Sequence, residues 1–245
     1  MTTQSYIGTE LELFGKAWNW KNYYASILRP YLHGRVLEVG AGIGETAAVL
    51  CNGGQDLWLC LEPDAQLSAT VEQKIAAGTL PSCCTAKRGC ISDIAPKPQF
   101  NVILYIDVLE HIRDDREELD LATQRLFPDG LLIVLAPAHQ WLFSPFDTAV
   151  GHFRRYTKST LLAIAPAELE IMQCLYLDSV GLMASLGNRY VLRKSTPNEK
   201  QIRLWDRVMV PTSRRIDHLL GHVFGKSVVA IWRRKTCKGL TRFTQ

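Results

Sequence analysis

The chain has 245 residues, 47% hydrophobic and 21% charged. That is apolar material enough for one large α/β domain, and the charge density is too ordinary for a disordered chain. No apolar run approaches the roughly 18 residues that span a bilayer, and residues 1–15 carry Glu10 and Glu12 around no apolar core, so neither an anchor nor a secretory leader is expected.

The net charge of +4 conceals an asymmetry. From Arg189 onward fourteen Lys/Arg face three acids, while the preceding part is net acidic. The basic part reads first as solvated helix faces, with weak contact to an anionic membrane surface as the lesser expectation. It lacks the interleaved aromatics of a base-stacking platform, so no nucleic-acid partner is expected. The seven cysteines are scattered apart from the tandem Cys83-Cys84. With no CxxC and no zinc spacing, they read as free thiols of a reducing cytoplasm.

In chain order, residues 9–31 form a helical, aromatic cap (Leu11, Leu13, Phe14, Trp18, Trp20, Tyr23, Tyr24, Leu28) ended by Pro30. A β/α alternation follows, with strands at 35–39, 57–61, 85–90, 101–106 and 130–136 and helices at 45–51, 64–77 and 114–126. Strands this apolar are buried on both faces, as in a parallel sheet covered by helices. Right-handed crossovers then give an open, doubly wound sheet. A long loop, 138–157, leads to a short helix at 158–165 and a sixth strand at 169–177. Two helical stretches, 179–192 and 199–220, precede a last strand at 227–232, which suits antiparallel insertion. The expected organisation is one domain, 1–245: a helical cap (1–33), a ligand-binding core (34–136), and a substrate loop, helical insert and closing strands (137–245).

The strongest chemical signal is Glu38-x-Gly40-x-Gly42-x-Gly44 at the end of the first strand. Glycines at every second position allow positive φ and let a ligand approach the backbone. A dinucleotide site has G-x-G-x-x-G, whereas here the third glycine comes one residue early and Glu45 stands where that pattern needs glycine. Glu38, two residues before the first glycine, suits a cationic ligand better than a pyrophosphate. Glu62, ending the second strand, is placed to accept two ribose hydroxyls; the alternative for an acid here is helix capping, for which Asp64 is better placed.

These blocks, together with Tyr105-Ile106-Asp107-Val108-Leu109-Glu110-His111, resemble the class I S-adenosylmethionine (SAM)-dependent methyltransferases over residues 36–136. The Asp107–His111 block is similar to the branch containing ubiquinone-biosynthesis O-methyltransferases. The resemblance implies a seven-stranded Rossmann-like sheet with its last strand antiparallel, and SAM as cofactor. It implies cofactor contacts from Glu38, Gly40, Ala41, Gly42, Gly44, Glu62, Pro63, Asp107 and Val108. Many relatives bond the adenine amine with an acid after the third strand; here the backbone of Cys90 and packing by Ile91 are expected instead, with Asp93 three residues beyond Cys90. Beyond residue 136 the sequence resembles uncharacterised bacterial methyltransferases.

A protonated acceptor needs a general base, and His111 and His152 are the candidates. His139, Trp141, Arg155 and Tyr156, in the loop over the sheet edge, are expected to shape the acceptor site, Arg155 by pairing a carboxylate or phosphate. The alternative for the loop arginines is bonding to nearby acids and carbonyls. Asp107, Glu110 and His111 form an O/O/N set, but no metal is expected: Asp107 is assigned to the cofactor and Glu110 to capping the next helix. The expected function is methyl transfer to a small-molecule or lipid-like acceptor, oxygen slightly ahead of nitrogen. A non-catalytic adenosyl-binding protein and an NAD-type oxidoreductase are the competing classes.

Overall fold

In the computed structural model residues 15–187 and 199–236 are described. Their apolar runs assemble as one seven-stranded sheet in the order β3-β2-β1-β4-β5-β7-β6. The strands are β1 (Arg35–Val39), β2 (Leu57–Glu62), β3 (Cys84–Arg88), β4 (Phe100–Ile106), β5 (Leu126–Pro137), β6 (Leu169–Leu177) and β7 (Ser227–Arg234). β1 to β5 pair in parallel; β7 runs antiparallel between β5 and β6. This is the architecture expected from the sequence. β5 begins four residues before its expected start, because Leu126 pairs with Phe100 and a register shift lets the Phe127-Pro128-Asp129 turn pass before Leu131 meets Val102.

Side chains alternate between two apolar layers, as a pleated strand requires. Val36, Leu104, Ile133 and Ile231 face a core shared with Trp20, Tyr24 and Leu28 of α1 (Trp18–Leu28) and Leu50 of α2 (Glu45–Leu50). Leu37, Ile103, Leu132, Ala230 and Trp232 face the opposite core with Leu119 and Ala122 of α4 (Asp115–Arg125) and Leu161 of α6 (Lys158–Ala163). α3 (Ala65–Ala76) is capped by Asp64, whose carboxylate accepts from the Gln66 and Leu67 amides. α1 tightens into a 3-10 turn, Arg29–Tyr31, where Pro30 supplies no N–H. The cap residues Leu11, Leu13 and Phe14 lie outside the described residues.

The insert comprises α7 (Ser179–Gly187), α8 (Glu199–Leu204), a π-helical turn (Trp205–Met209) and α9 (Val210–Leu219). The part of the expected 179–192 helix beyond 187, and the basic residues of 189–198 and 237–245, lie outside the described residues. Buried acids tie the insert to the rest. Asp178 accepts from Trp205 Nε1 (2.6 Å) and Ser213 Oγ (2.6 Å). Asp217 accepts from Tyr23 Oη (2.7 Å) and from the Asp178 and Ser179 amides. Asp206 accepts from the Trp20 amide and Asn19 Nδ2. The insert and the N-terminal helix are therefore one hydrogen-bonded assembly. No described helix is long and apolar enough to cross a membrane.

Candidate functional site

The carboxyl ends of β1, β2 and β4 meet at the glycine turn, the edge where doubly wound sheets bind ligands. Gly40, Gly42 and Gly44 all have positive φ (69°, 55° and 79°). A Cβ on Gly40 would lie 2.6 Å from Val108 Cγ2, so Val108 packs directly on the turn and its side chain requires glycine there. The Gly40 and Ala41 amides donate to Leu61 O (2.8 and 3.1 Å). Glu62 closes the turn: Oε2 accepts from the Gly42 amide at 2.8 Å and Oε1 from the Asp64 amide at 3.0 Å. Glu45 is held by Lys21 (2.9 Å) and Lys74 (2.7 Å), which balance its charge at the start of α2.

Glu38 lies beneath the turn, 2% exposed, accepting from Trp58 Nε1 at 2.8 Å. Burial drives its carboxyl up to about 8, against the pull of hydrogen bonds from Trp58 and Thr46. Tyr24 of α1 also bonds Thr46, so the N-terminal helix roofs this corner. Pro63 is exposed beside the turn. Cys90 is exposed and its amide donates to Asp93 Oδ2 (2.8 Å), while Ile91 is buried. Asp107 follows β4 at φ 54°, and its amide donates to Leu135 O. One side of it is open to solvent; crowding on the others pushes its carboxyl up to about 6, opposed by the charges of His152, Lys226 and Arg155.

The loop after β5 brings a second group to this edge. His152 Nδ1 lies 2.9 Å from Asp147 Oδ1, and Arg155 grips the same carboxylate through Nε (2.8 Å to Oδ1) and Nη2 (2.9 Å to Oδ2). Asp147 is fully buried, yet these bonds hold it well below the usual carboxylate range. His152 meets His111 edge to face, with ring centroids 4.6 Å apart. Burial, with His152 beside it, lowers His111 to about 4, so it is neutral at physiological pH.

Glu110 does not cap the next helix, contrary to expectation. Asp114 does, accepting from the Glu117 amide. Glu110 is 1% exposed with neither carboxyl oxygen hydrogen-bonded among the described residues, and His152 Nε2 stands 3.8 Å from Oε1. Burial, with Asp107 nearby, pushes its carboxyl well above the usual range. One ligand atom from each of Glu110, His111 and His152 lies within 4.8 Å of the others. The O/N/N set thus contains His152 where the sequence suggested Asp107.

Of the loop residues expected at the acceptor, Trp141 is 43% exposed and stacks on His139, which stacks in turn on Tyr176. Tyr156 points inward, its hydroxyl donating to Asp115 at 2.7 Å, and Arg155 is engaged with Asp147. Asp147, Tyr24 and Lys226 are residues that sequence reasoning missed. Lys226 lies over the Trp205 ring, 4.9 Å from its centroid, among Asp178, Asp107 and Asp147. A groove of about 570 Å³ lies between α1 and α9, lined by Tyr23, Val210, Arg214 and Leu219 among others and by none of the residues of the turn.

Fold and edge together define a SAM-dependent methyltransferase. A family model described as a methyltransferase domain matches residues 20–178, and the chain belongs to that family. No curated protein matches in sequence. Solved structures share the fold. A putative sarcosine dimethylglycine methyltransferase from Galdieria sulphuraria is 17% identical with a TM-score of 0.56, covering 89% of this chain and 83% of that one. Phosphoethanolamine N-methyltransferase 2 from Haemonchus contortus, solved with SAM, is 14% identical (TM-score 0.60; 93% and 58%). The [4+2]-cyclase SpnF is also 14% identical (TM-score 0.62; 94% and 95%).

Proposed function

We propose that the chain, a single catalytic unit over 1–245, carries the SAM methyl group to a small-molecule or lipid-like acceptor, oxygen ahead of nitrogen. The observation that carries this reading is the buried Asp147–His152 pair at the sheet edge. A carboxylate accepting from Nδ1–H selects, for the neutral ring, the tautomer with its lone pair on Nε2, which is the one a general base requires. A hydroxyl acceptor needs that base, whereas a neutral amine already presents its lone pair. Bound SAM would supply an electrophilic methyl group, and His152 Nε2 would take the proton of the acceptor hydroxyl as its oxygen accepts that group. Neutral His111 borders the same space and is the second base candidate.

In this reading the turn from Gly40 through Ala41 and Gly42 to Gly44 admits the cofactor, and Glu38 answers its cationic end. Glu62 takes the ribose hydroxyls beside Pro63, Cys90 and Ile91 border the adenine, and Asp107 with Val108 faces the methionine part. His139 and Trp141 wall the acceptor, while Arg155 and Tyr156 hold the loop in place from behind. Much of the rate then comes from positioning. A cytoplasmic location fits the free thiols. Weak contact with an anionic membrane surface is supported by Leu219, 83% exposed on the helix that carries Arg214 and Arg215.

The Haemonchus relative is named for N-methylation, which makes an amine the competing acceptor. The test is a cell extract incubated with methyl-labelled SAM, followed by identification of the labelled product. An O-methyl product is expected, and label found only on nitrogen would overturn the oxygen preference.

The orphan Glu110 oxygens favour a second reading, in which Glu110, His111 and His152 hold a divalent cation that orients acceptor oxygens, in line with the resemblance to the ubiquinone-type branch. Exhaustive chelation separates the two: turnover persists if His152 is the base alone, and is lost and then restored by a divalent transition metal such as Fe²⁺, Mn²⁺ or Zn²⁺ if the cation is required.

A further inference from the structure

Cys51 and the Cys83-Cys84 pair are more than thirty residues apart in sequence, and no spacing motif joins them. The fold does. Cys51 leaves the last turn of α2, and Cys84 opens β3 beside Trp58, whose amide donates to Cys83 O at 2.8 Å. The Cys51 sulfur lies 3.4 Å from that of Cys83 and 3.7 Å from that of Cys84, and all three lie within 4.8 Å of one another. We propose that these three thiols form a binding site for a thiophilic divalent cation of the zinc class, at the sheet edge opposite the glycine turn.

A tetrahedral zinc with bonds of about 2.3 Å sets its sulfurs about 3.8 Å apart, so small side-chain rotations suffice. Gln55 Oε1 lies 3.4 Å from Cys51 Sγ, and its amide nitrogen is fixed on Leu32 O, which keeps an oxygen donor beside the cluster. Cys51 and Cys84 are buried while Cys83 is half-buried, so a cation enters past Cys83. Among the described residues, Cys60, Cys90 and Cys174 lie outside the cluster. The site joins the end of α2 to the start of β3, away from the reacting groups, and its bound ion would be structural.

Cd²⁺ is the probe. The reduced, chelator-treated full chain, titrated without oxygen, is expected to bind one equivalent with a thiolate-to-cadmium charge-transfer band and a raised Tm. Zn²⁺ should compete the band away. Cys83→Ser should weaken Cd²⁺ by more than the roughly 10–100-fold that follows loss of an outer-shell partner, while Cys174→Ser leaves it unchanged. Should Cys83→Ser fold poorly, alkylation of the wild-type chain gives the same answer: Cd²⁺ should protect Cys83, the half-buried member of the cluster, from iodoacetamide, as mapped by mass spectrometry. No band, unchanged affinity in Cys83→Ser, or absence of protection would overturn the proposal. So would a Cys51–Cys83 disulfide that persists in the reduced preparation.

Discussion

Gly42 holds a φ of 55° while its amide is bonded to Glu62, so a side chain there meets both a strained backbone and the cofactor's expected path. Gly42→Val is expected to raise the SAM Kd at least about a hundredfold, about 2.7 kcal/mol, as measured by calorimetry; near-normal affinity would remove the turn from the binding site. His152 makes a separate prediction, because its partners are Asp147, Glu110 and His111 and none of them belongs to the turn. His152→Ala should lower kcat by about 10²–10⁴ with SAM affinity unchanged, and a parallel loss of SAM binding would reassign the loop. The strand-end acids Glu38, Glu62 and Asp107 were legible in sequence because apolar runs mark where strands stop. Asp147 was not. The 138–157 stretch reads only as a loop, and it is the fold, which winds Pro145–Ala149 into a short helix (α5), that turns the Asp147 carboxylate onto His152 and Arg155. Lys226 and Tyr24 reach the edge from opposite ends of the chain, and the carboxylate isolation of Glu110 is a property of its surroundings rather than of its neighbours in sequence.

At the scale of elements, the sheet was legible and the insert only in outline. β6 falls where its pattern placed it, with Tyr176 facing one core and Leu177 the other, as neighbouring residues of a strand do. The 199–220 stretch has helical periodicity, but that periodicity does not reveal the π turn that brings Trp205 to Asp178. Nor does it reveal that three hydrogen bonds converge on Asp217. Asp217→Ala strands those donors and should cost about 3 kcal/mol or more in urea unfolding. Limited proteolysis should then cut within 199–220 before the sheet yields. A loss below about 1 kcal/mol would mean that apolar packing alone holds the insert.

For the whole molecule, Glu38 sets a pH dependence. The folded chain keeps a proton up to about pH 8 that an unfolded carboxyl surrenders near 4.5. That contribution is complete below pH 4.5 and is lost as pH rises through 8. His111 acts in the opposite sense, favouring the fold as pH rises from about 4 to 6.5, and adds nothing above that window. Between pH 6.5 and 8 the cofactor-free protein should therefore lose about 2 kcal/mol through Glu38, seen as a falling Tm whose slope Glu38→Gln reduces while the raised Glu110 keeps the remainder; equal slopes in both proteins would show Glu38 to be ionised throughout. The place of β7 bears on how the molecule is made. Among the described residues β6 and the outer edge of β5 pair with Ser227–Arg234, so through the synthesis of some fifty intervening residues the nascent chain carries two strands without their partner. At about 5–20 residues per second that interval lasts seconds, a window in which the half-built sheet on the ribosome is exposed to chaperones and to pairing with its neighbours.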